Sequence, residues 1–262
     1  MRTRYFAAIM SSTIFFTAAL LLPCVSRAGD TFTVGSYNIH SFVTIHKQKD
    51  VAGTIRAIGA LQSDICGLQE VRKYDHENPA PLELAGQKLA MQPFFCRTLR
   101  RGNFEYGIGT LSKLPAEVVA NVKLPIAPRR EARSVQIIKV KLAGGSFYFV
   151  NTHLQNGKGE DERTQQIKTI MDYLEKHQLY PAILTGDLNA GPASNTIRLL
   201  KSKWKIVGDN KPTFPASKPR AKIDYIAFYP ADAFEVISYE VVNEPNASDH
   251  APIKARLKLL KK

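Results

Sequence analysis

The sequence predicts an α/β protein built on mixed β-sheets. Two observations carry that prediction. Helix-like segments recur along the chain, at residues 50–61, 82–90, 160–177 and 194–200. Strand-like runs occur both singly between those helices and in quick succession, with hairpin signals between them, which fits mixed sheets better than purely parallel ones.

The elements follow in order. Residues 32–37 alternate apolar and polar side chains as a strand does, and Val51, Ile55, Ile58 and Leu61 give 50–61 the spacing of an amphipathic helix. A second strand is expected over 65–71, then a polar, proline-containing loop over 75–81 and a short helix over 82–90. Five strands are expected next, over 93–99, 106–111, 116–124, 134–142 and 147–151, with Ala143-Gly144-Gly145 as a hairpin turn. Residues 160–177 form the longest expected helix. A short buried strand over 183–185, a helix over 194–200 and strands over 223–228, 235–242 and 253–259 complete the set.

A chain of 262 residues with no linker-like stretch reads as one domain, expected to span 29–262. Residues 1–28 read as an export signal. Arg2 and Arg4 precede an apolar stretch over 5–25, and Ser26-Arg27-Ala28 places small residues where a signal peptidase would cut, after Ala28. An uncleaved membrane anchor is the competing reading, disfavoured because Ser11, Ser12 and Thr13 interrupt a run already marginal for spanning. Pro23 before Cys24 argues against a lipoprotein. The expected location is the periplasm or the exterior, with no stable membrane span after cleavage.

Without Arg2, Arg4 and Arg27 the formal charge falls from +13 to +10, with 33 basic side chains against 23 acidic ones. A basic exported domain favours polyanions such as nucleic-acid backbones or anionic membrane surfaces, although solvated surface lysines give the same count. Cys66 and Cys96 remain after cleavage. An oxidising compartment permits a bridge between them, but Cys66 lies inside an apolar strand, where a buried thiol is common, and neither has the neighbours of a nucleophile.

Six segments place a polar residue at or just past the end of an apolar run. They are Ser36-Tyr37-Asn38-Ile39, Leu68-Gln69-Glu70-Val71, Asn151-Thr152-His153-Leu154, Thr185-Gly186-Asp187-Leu188-Asn189, Lys222-Ile223-Asp224-Tyr225 and Ala247-Ser248-Asp249-His250-Ala251-Pro252. Each is short enough to recur by chance, but together and in this order they specify one site. Asp187 and Asn189 leave one strand with a single residue between them, so on extended chain both point to the same side and can grip one water; the local alternative is an Asx turn. Glu70 could instead pair with Arg72 or Lys73. His40, His46, His76 and His177 read as loop or surface residues, too scattered for a zinc site.

The six segments resemble the endonuclease/exonuclease/phosphatase superfamily, metal-dependent phosphoesterases that include DNase I-type nucleases, apurinic endonucleases, sphingomyelinases and inositol polyphosphate phosphatases. The resemblance runs from about residue 31 to residue 259. It implies a DNase I-like four-layered sandwich, two stacked mixed sheets flanked by helices, with the site at one edge. It implies Glu70 as the principal ligand of Mg²⁺, with Mn²⁺ as a substitute, and Asn38 and Asp249 close by; Mg²⁺ takes only one or two carboxylates and keeps several waters, so the sparse set suffices.

By the same resemblance Asp187 orients or deprotonates the attacking water, Asn189 holds that water or the phosphate, and Asp224 fixes the tautomer of His250. His153 is implied as a second phosphate-binding histidine. Arg133, one of three arginines in 129–133, is implied as a phosphate-binding group. Glu105 falls where DNase-type members carry a glutamate supporting the first histidine, but its spacing does not align and it stays outside the expected site.

The expected activity is exported, Mg²⁺-dependent phosphodiester hydrolysis by a monomer, on nucleic acid first of all. A phospholipid or inositol phosphate hydrolase is the second reading, although no long apolar insertion supports it. A DNase-like toxin subunit with partner chains is the third. A silent binding module is the fourth, disfavoured because every expected catalytic position is filled.

Overall fold

Asp50 ends an extended segment and accepts the backbone N–H of Gly53 at 2.7 Å, so the apolar face beyond it starts as a capped helix, α1 (Val51–Ala60), and packs Ile55 and Ile58 inward. The other periodic segments also form helices and strands in the computed structural model, which describes residues 31–157 and 159–260. Strands β1 (Thr31–Asn38), β2 (Ile65–Tyr74), β3 (Gln92–Arg101), β4 (Phe104–Ser112), β5 (Ala116–Lys123), β6 (Ser134–Leu142), β7 (Gly145–His153) and β8 (Ala182–Asp187) are joined by β9 (Lys205–Ile206), β10 (Asp224–Tyr229), β11 (Phe234–Val241) and β12 (Ile253–Leu259). The remaining helices are α2 (Pro81–Leu89), α3 (Asp161–Lys176) and α4 (Asn195–Lys201). The expected signal segment 1–28 lies outside the described residues.

The strands form two six-stranded mixed sheets, in the orders β11-β12-β1-β2-β4-β3 and β5-β6-β7-β8-β10-β9. Each sheet contains one parallel pair bridged by a crossover helix, β1 and β2 through α1 and β7 and β8 through α3, while the other pairings are antiparallel. The sheets stack face to face over Phe32, Val34, Ile65, Phe147, Phe149, Ile183, Ile226 and Phe228. Burial of each such phenylalanine stabilises the fold by about 1.5–3 kcal/mol. Outside one sheet, α1 and α2 cover a second cluster around Tyr37, Leu68 and Leu111; outside the other, α3 and α4 cover a third around Ile137, Leu184 and Trp204. The four-layered sandwich expected from the sequence is thus present.

Polar side chains tie the two sheets together near the ends of β1, β7 and β8 and the middle of β2. Asn151 Nδ2 donates across the interface to the carbonyls of Leu68 and Gly109, at 3.1 and 2.8 Å, and its Oδ1 accepts from Gln69 Nε2 at 2.8 Å. Gly67 makes this approach fit: a Cβ there would sit 2.5 Å from Thr185 Oγ1 and 2.8 Å from Asn151 Oδ1. Asn151 and Gln69 are fully buried; the bonds of Asn151 offset the desolvation an unpaired amide would suffer, while Gln69 bonds through Nε2 and leaves its Oε1 unpartnered. Cys66 and Cys96 are both buried and unbridged, with burial pushing their thiols up to about 12 and about 11.

Candidate active site

Strand register brings three of the six polar segments into one row. Parallel pairing of β7 with β8 sets His153 opposite Asp187, and antiparallel pairing of β8 with β10 sets Asp187 opposite Asp224. Residues directly opposite on neighbouring strands share a face, so the three side chains converge. β7 ends at His153, β8 ends at Asp187 and β10 starts at Asp224, which puts the row on the rim of the sheet. In the other sheet β1 ends at Asn38, opposite Gln69, and the next residue, Glu70, has φ 59° within a bulge between Leu68 and Val71. A left-handed φ on a non-glycine residue is uncommon and recurs at functional sites. The loop between β11 and β12 carries the last segment and is fastened to β1 by Ser248 Oγ, which donates to the Asn38 carbonyl at 2.7 Å.

His250 Nδ1 faces both Asp224 oxygens, at 3.0 and 3.2 Å, and its Nε2 lies 3.6 Å from Asp187 Oδ2. Thr213 Oγ1 donates to Asp224 at 2.5 Å, and the buried ammonium of Lys222 donates to the Asp224 carbonyl at 3.1 Å. Burial would lower the His250 pKa, but Asp224 first and then Asp187 outweigh it and raise the imidazole to about 10. Asp187 is pushed up to about 7, chiefly by burial, with Asp224 adding to the effect and His250 opposing it. Interacting groups titrate as a set. At neutral pH His250 is therefore an imidazolium held by Asp224, beside an Asp187 that is giving up its proton in the same range.

His153 has the opposite environment. Burial, then the positive charges of Arg133 and His250, hold it well below the usual histidine range, so it stays neutral. Its tautomer follows from Asn189, whose Nδ2 donates to the Leu154 carbonyl at 3.1 Å and lies 3.1 Å from His153 Nε2. The amide donates to both, which makes Nε2 the acceptor and leaves the proton on Nδ1. The Asx turn weighed as the local alternative is also present: Asp187 Oδ1 accepts the Asn189 backbone N–H at 2.9 Å, while Oδ2 turns toward Asn38, His153 and His250.

Glu70 and Asp249 are partly exposed carboxylates flanking Asn38. Arg72 and Lys73 do not hold Glu70, since Arg72 lies over the Phe104 ring and Lys73 pairs with Glu83. Asn38 Oδ1 accepts the His40 backbone N–H at 3.1 Å, and its Nδ2 donates to Glu70 Oε1 at 3.2 Å and Asp187 Oδ2 at 3.1 Å, so its nitrogen bridges the two carboxylates. His40, expected as a surface loop residue, sits in a tight turn and brings Nδ1 within 3.8 Å of Asp249 Oδ1.

Among the described residues one cluster has ligand atoms close enough to hold a cation. Ligand atoms of Asp187, Asp224 and His250 lie within 4.8 Å of one another, but this set is buried and already hydrogen-bonded to itself. Glu70, bonded to Asn38 Nδ2, and Asp249, next to the Ser248 that bonds the Asn38 carbonyl, are only partly buried, and carboxylate oxygen is the donor Mg²⁺ favours.

Arg133 is 3% exposed and pairs with Glu131, and its Nε has no hydrogen-bond partner. Glu105 pairs with Arg97 and Arg100, which lower its pKa. Sequence reasoning missed Lys222 as a neighbour of Asp224, although it is two residues away, and missed Arg72, which shares a cleft with Glu70. The two-residue period of a strand, Glu70 to Arg72, was the available signal.

The family model described as Endonuclease/Exonuclease/phosphatase family matches residues 35–250. Comparison with curated proteins finds no match. Among solved structures, an endonuclease/exonuclease/phosphatase from Beutenbergia cavernae DSM 12333 is similar at TM-score 0.73 and 20% identity, over 87% of this chain and 72% of that one. ANGEL2, a 2′,3′-cyclic phosphatase, is similar at TM-score 0.67 and 14% identity, over 87% and 95% of the two chains. The human Nocturnin catalytic domain, with a bound sulfate anion, is similar at TM-score 0.64 and 19% identity, over 90% and 97%.

Proposed function

The chain belongs to the endonuclease/exonuclease/phosphatase family, whose members are metal-dependent phosphoesterases, and from that premise we propose that it is an exported, Mg²⁺-dependent phosphodiesterase that cleaves nucleic acid as a monomer. The observation that carries the reading is the convergence of Glu70, Asp187 and the Asp224–His250 pair around Asn38. Export rests on residues 1–28, and the nucleic-acid preference on the +10 charge of residues 29–262.

Glu70 and Asp249 would hold Mg²⁺, which neutralises charge on the phosphoryl and leaving oxygens. The buried Asp187, Asp224 and His250 set does different work in this reading. His250 already carries its proton, so it cannot serve as the base. Asp187 takes the proton from the attacking water as the new P–O bond forms and the bond to the leaving oxygen breaks. His250 presents positive charge to the phosphoryl oxygens, oriented by Asp224, which Thr213 and Lys222 brace from behind. Asn189 and neutral His153 position the water or the phosphate, and Arg133 adds a guanidinium at the same edge.

The pH dependence follows from these assignments. kcat/KM should rise as Asp187 loses its proton through about 7, hold level, and fall as His250 loses its own toward about 10. The His250 pairing stabilises the fold fully below the unfolded histidine value, about 6.5, and that contribution is lost as pH rises through about 10. A pH–rate profile on a chromogenic phosphodiester checks the kinetic part; activity greatest below pH 5 would contradict a carboxylate base at Asp187.

The substrate is tested by parallel incubation of the purified protein and Mg²⁺ with plasmid DNA, RNA, abasic DNA, sphingomyelin and inositol phosphates. Turnover confined to the last two would replace the nuclease reading with the lipid or inositol one.

A further inference from the structure

Beside Glu70 lies a cleft of about 230 Å³ whose walls include Arg72, Arg101, Phe104, Tyr106 and Arg133. It is smaller than the ~300–1,000 Å³ of sites that enclose a drug-sized ligand, so it suits one phosphoryl group and the edge of what bears it. Its cations are unevenly engaged. On the same hairpin Arg97 and Arg100 are occupied by Glu105 and Asp75, whereas Arg101 makes no ion pair among the described residues. Arg133 is almost wholly buried, yet its Nε is unpartnered, and so is Nε of Arg72. A buried guanidinium N–H without an acceptor is costly unless something supplies one. Arg72 lies 4.9 Å over the Phe104 ring, which fixes the plane of its fork and leaves an apolar surface beside it.

We propose that this cleft binds the phosphate adjacent to the scissile one along a nucleic-acid strand, with Arg72, Arg101 and Arg133 on its oxygens and Phe104 against the attached sugar or base. The inference rests on the phosphodiesterase reading, since Glu70 is shared between the cleft and the reacting centre. It deepens that reading by requiring a substrate with a second phosphate. The unpartnered Nε donors of Arg72 and Arg133, whose other ends bond Tyr74 and the cleft-lining Glu131, together with the guanidinium of Arg101, match the oxygens of a phosphodiester, and one apolar ring matches the nucleoside beside it.

The test uses fluorescent trinucleotides with two phosphodiesters, and isomers in which either linkage is a neutral methylphosphonate, with binding read by anisotropy in EDTA so that nothing is cleaved. One isomer should bind wild-type protein about tenfold more weakly than the parent. For Arg101→Ala and for Arg72→Gln the same replacement should cost clearly less than in wild-type protein, because the charge it removes has one partner fewer. Arg101 is exposed, so that variant keeps its fold even if Arg72→Gln does not. Equal binding of all three probes by wild-type protein overturns the inference, as does an undiminished penalty in Arg101→Ala. Displacement of the trinucleotide by inositol 1,4,5-trisphosphate at lower concentration than by unlabelled trinucleotide overturns the assignment to a nucleic-acid strand. Hydrolysis of bis-p-nitrophenyl phosphate with Mg²⁺, measured separately, tests the phosphodiesterase reading on its own: turnover without the binding difference leaves that reading standing and removes only the subsite.

Discussion

His250→Ala should lower kcat on a cleavable phosphodiester by about 10²–10⁴-fold, with a smaller change in KM. The imidazolium sits between Asp224 and Asp187, and its removal takes away the positive charge at the centre of the site. Asp224→Ala should cost less alone, since His250 would keep Asp187 as a neighbour but lose the carboxylate that holds its proton and its ring plane. The double variant should be little worse than His250→Ala, because groups acting as a unit are strongly non-additive. A double-mutant cycle on kcat at saturating Mg²⁺ measures this. Multiplicative losses would show that the two residues act independently, and an unaltered kcat in Asp224→Ala would mean that something else positions His250.

Chelation should have a comparable effect. Hydrolysis should disappear in EDTA and return with Mg²⁺ or Mn²⁺, since the site offers hard oxygen donors and both thiols are buried away from water. Glu70→Gln keeps the shape of the side chain and its contact with Asn38 while removing the charge. The concentration of Mg²⁺ giving half-maximal activity should rise by at least about tenfold, with a lower rate at saturation. Full activity in EDTA would exclude a metal role for this site. A normal Mg²⁺ dependence in Glu70→Gln, with loss of it in Asp187→Asn, would move the ion to the buried set.

Much of this was legible in the sequence because the relevant signals are local. The alternation of 32–37 and the spacing of Val51, Ile55 and Ile58 each report a face that must be buried, and the strands and helices they predict differ from the observed bounds by a few residues. β9 was not foreseen, since two residues, Lys205 and Ile206, are too few to show a period. Nor was the turn at His40–Phe42, where His40, Ser41 and Phe42 have φ of 45°, 58° and 62° and no glycine marks the reversal. The Asn38 hydrogen bond to His40 N–H helps hold that turn, and that is a tertiary fact about where the amide points.

At the site, the sequence announced which residues carry chemistry but not what each one touches. Asn151 and Gln69 belong to the same segments as His153 and Glu70, yet face inward and bind sheet to sheet. The separation of roles depends on strand facing and on the bulge at Glu70, and neither is visible without the partner strand. Arg72 was read only as a possible partner for Glu70, because its position over Phe104 requires knowing that β2 and β4 are neighbours.

The amides of Asn151 and Gln69 matter for a reason beyond their own burial. Glu70 and Asn38 ride on one sheet, while His153, Asp187 and Asp224 ride on the other. Two stacked sheets have one soft mechanical coordinate, shear of one across the other, because the apolar contacts between them are non-directional and resist separation more than sliding. Displacement along it would open the gap between the residues proposed to hold the cation and the carboxylate proposed to activate water. Directional bonds at that rim act as a detent, so the alignment on which the reaction depends is set at the place where slippage would do most harm.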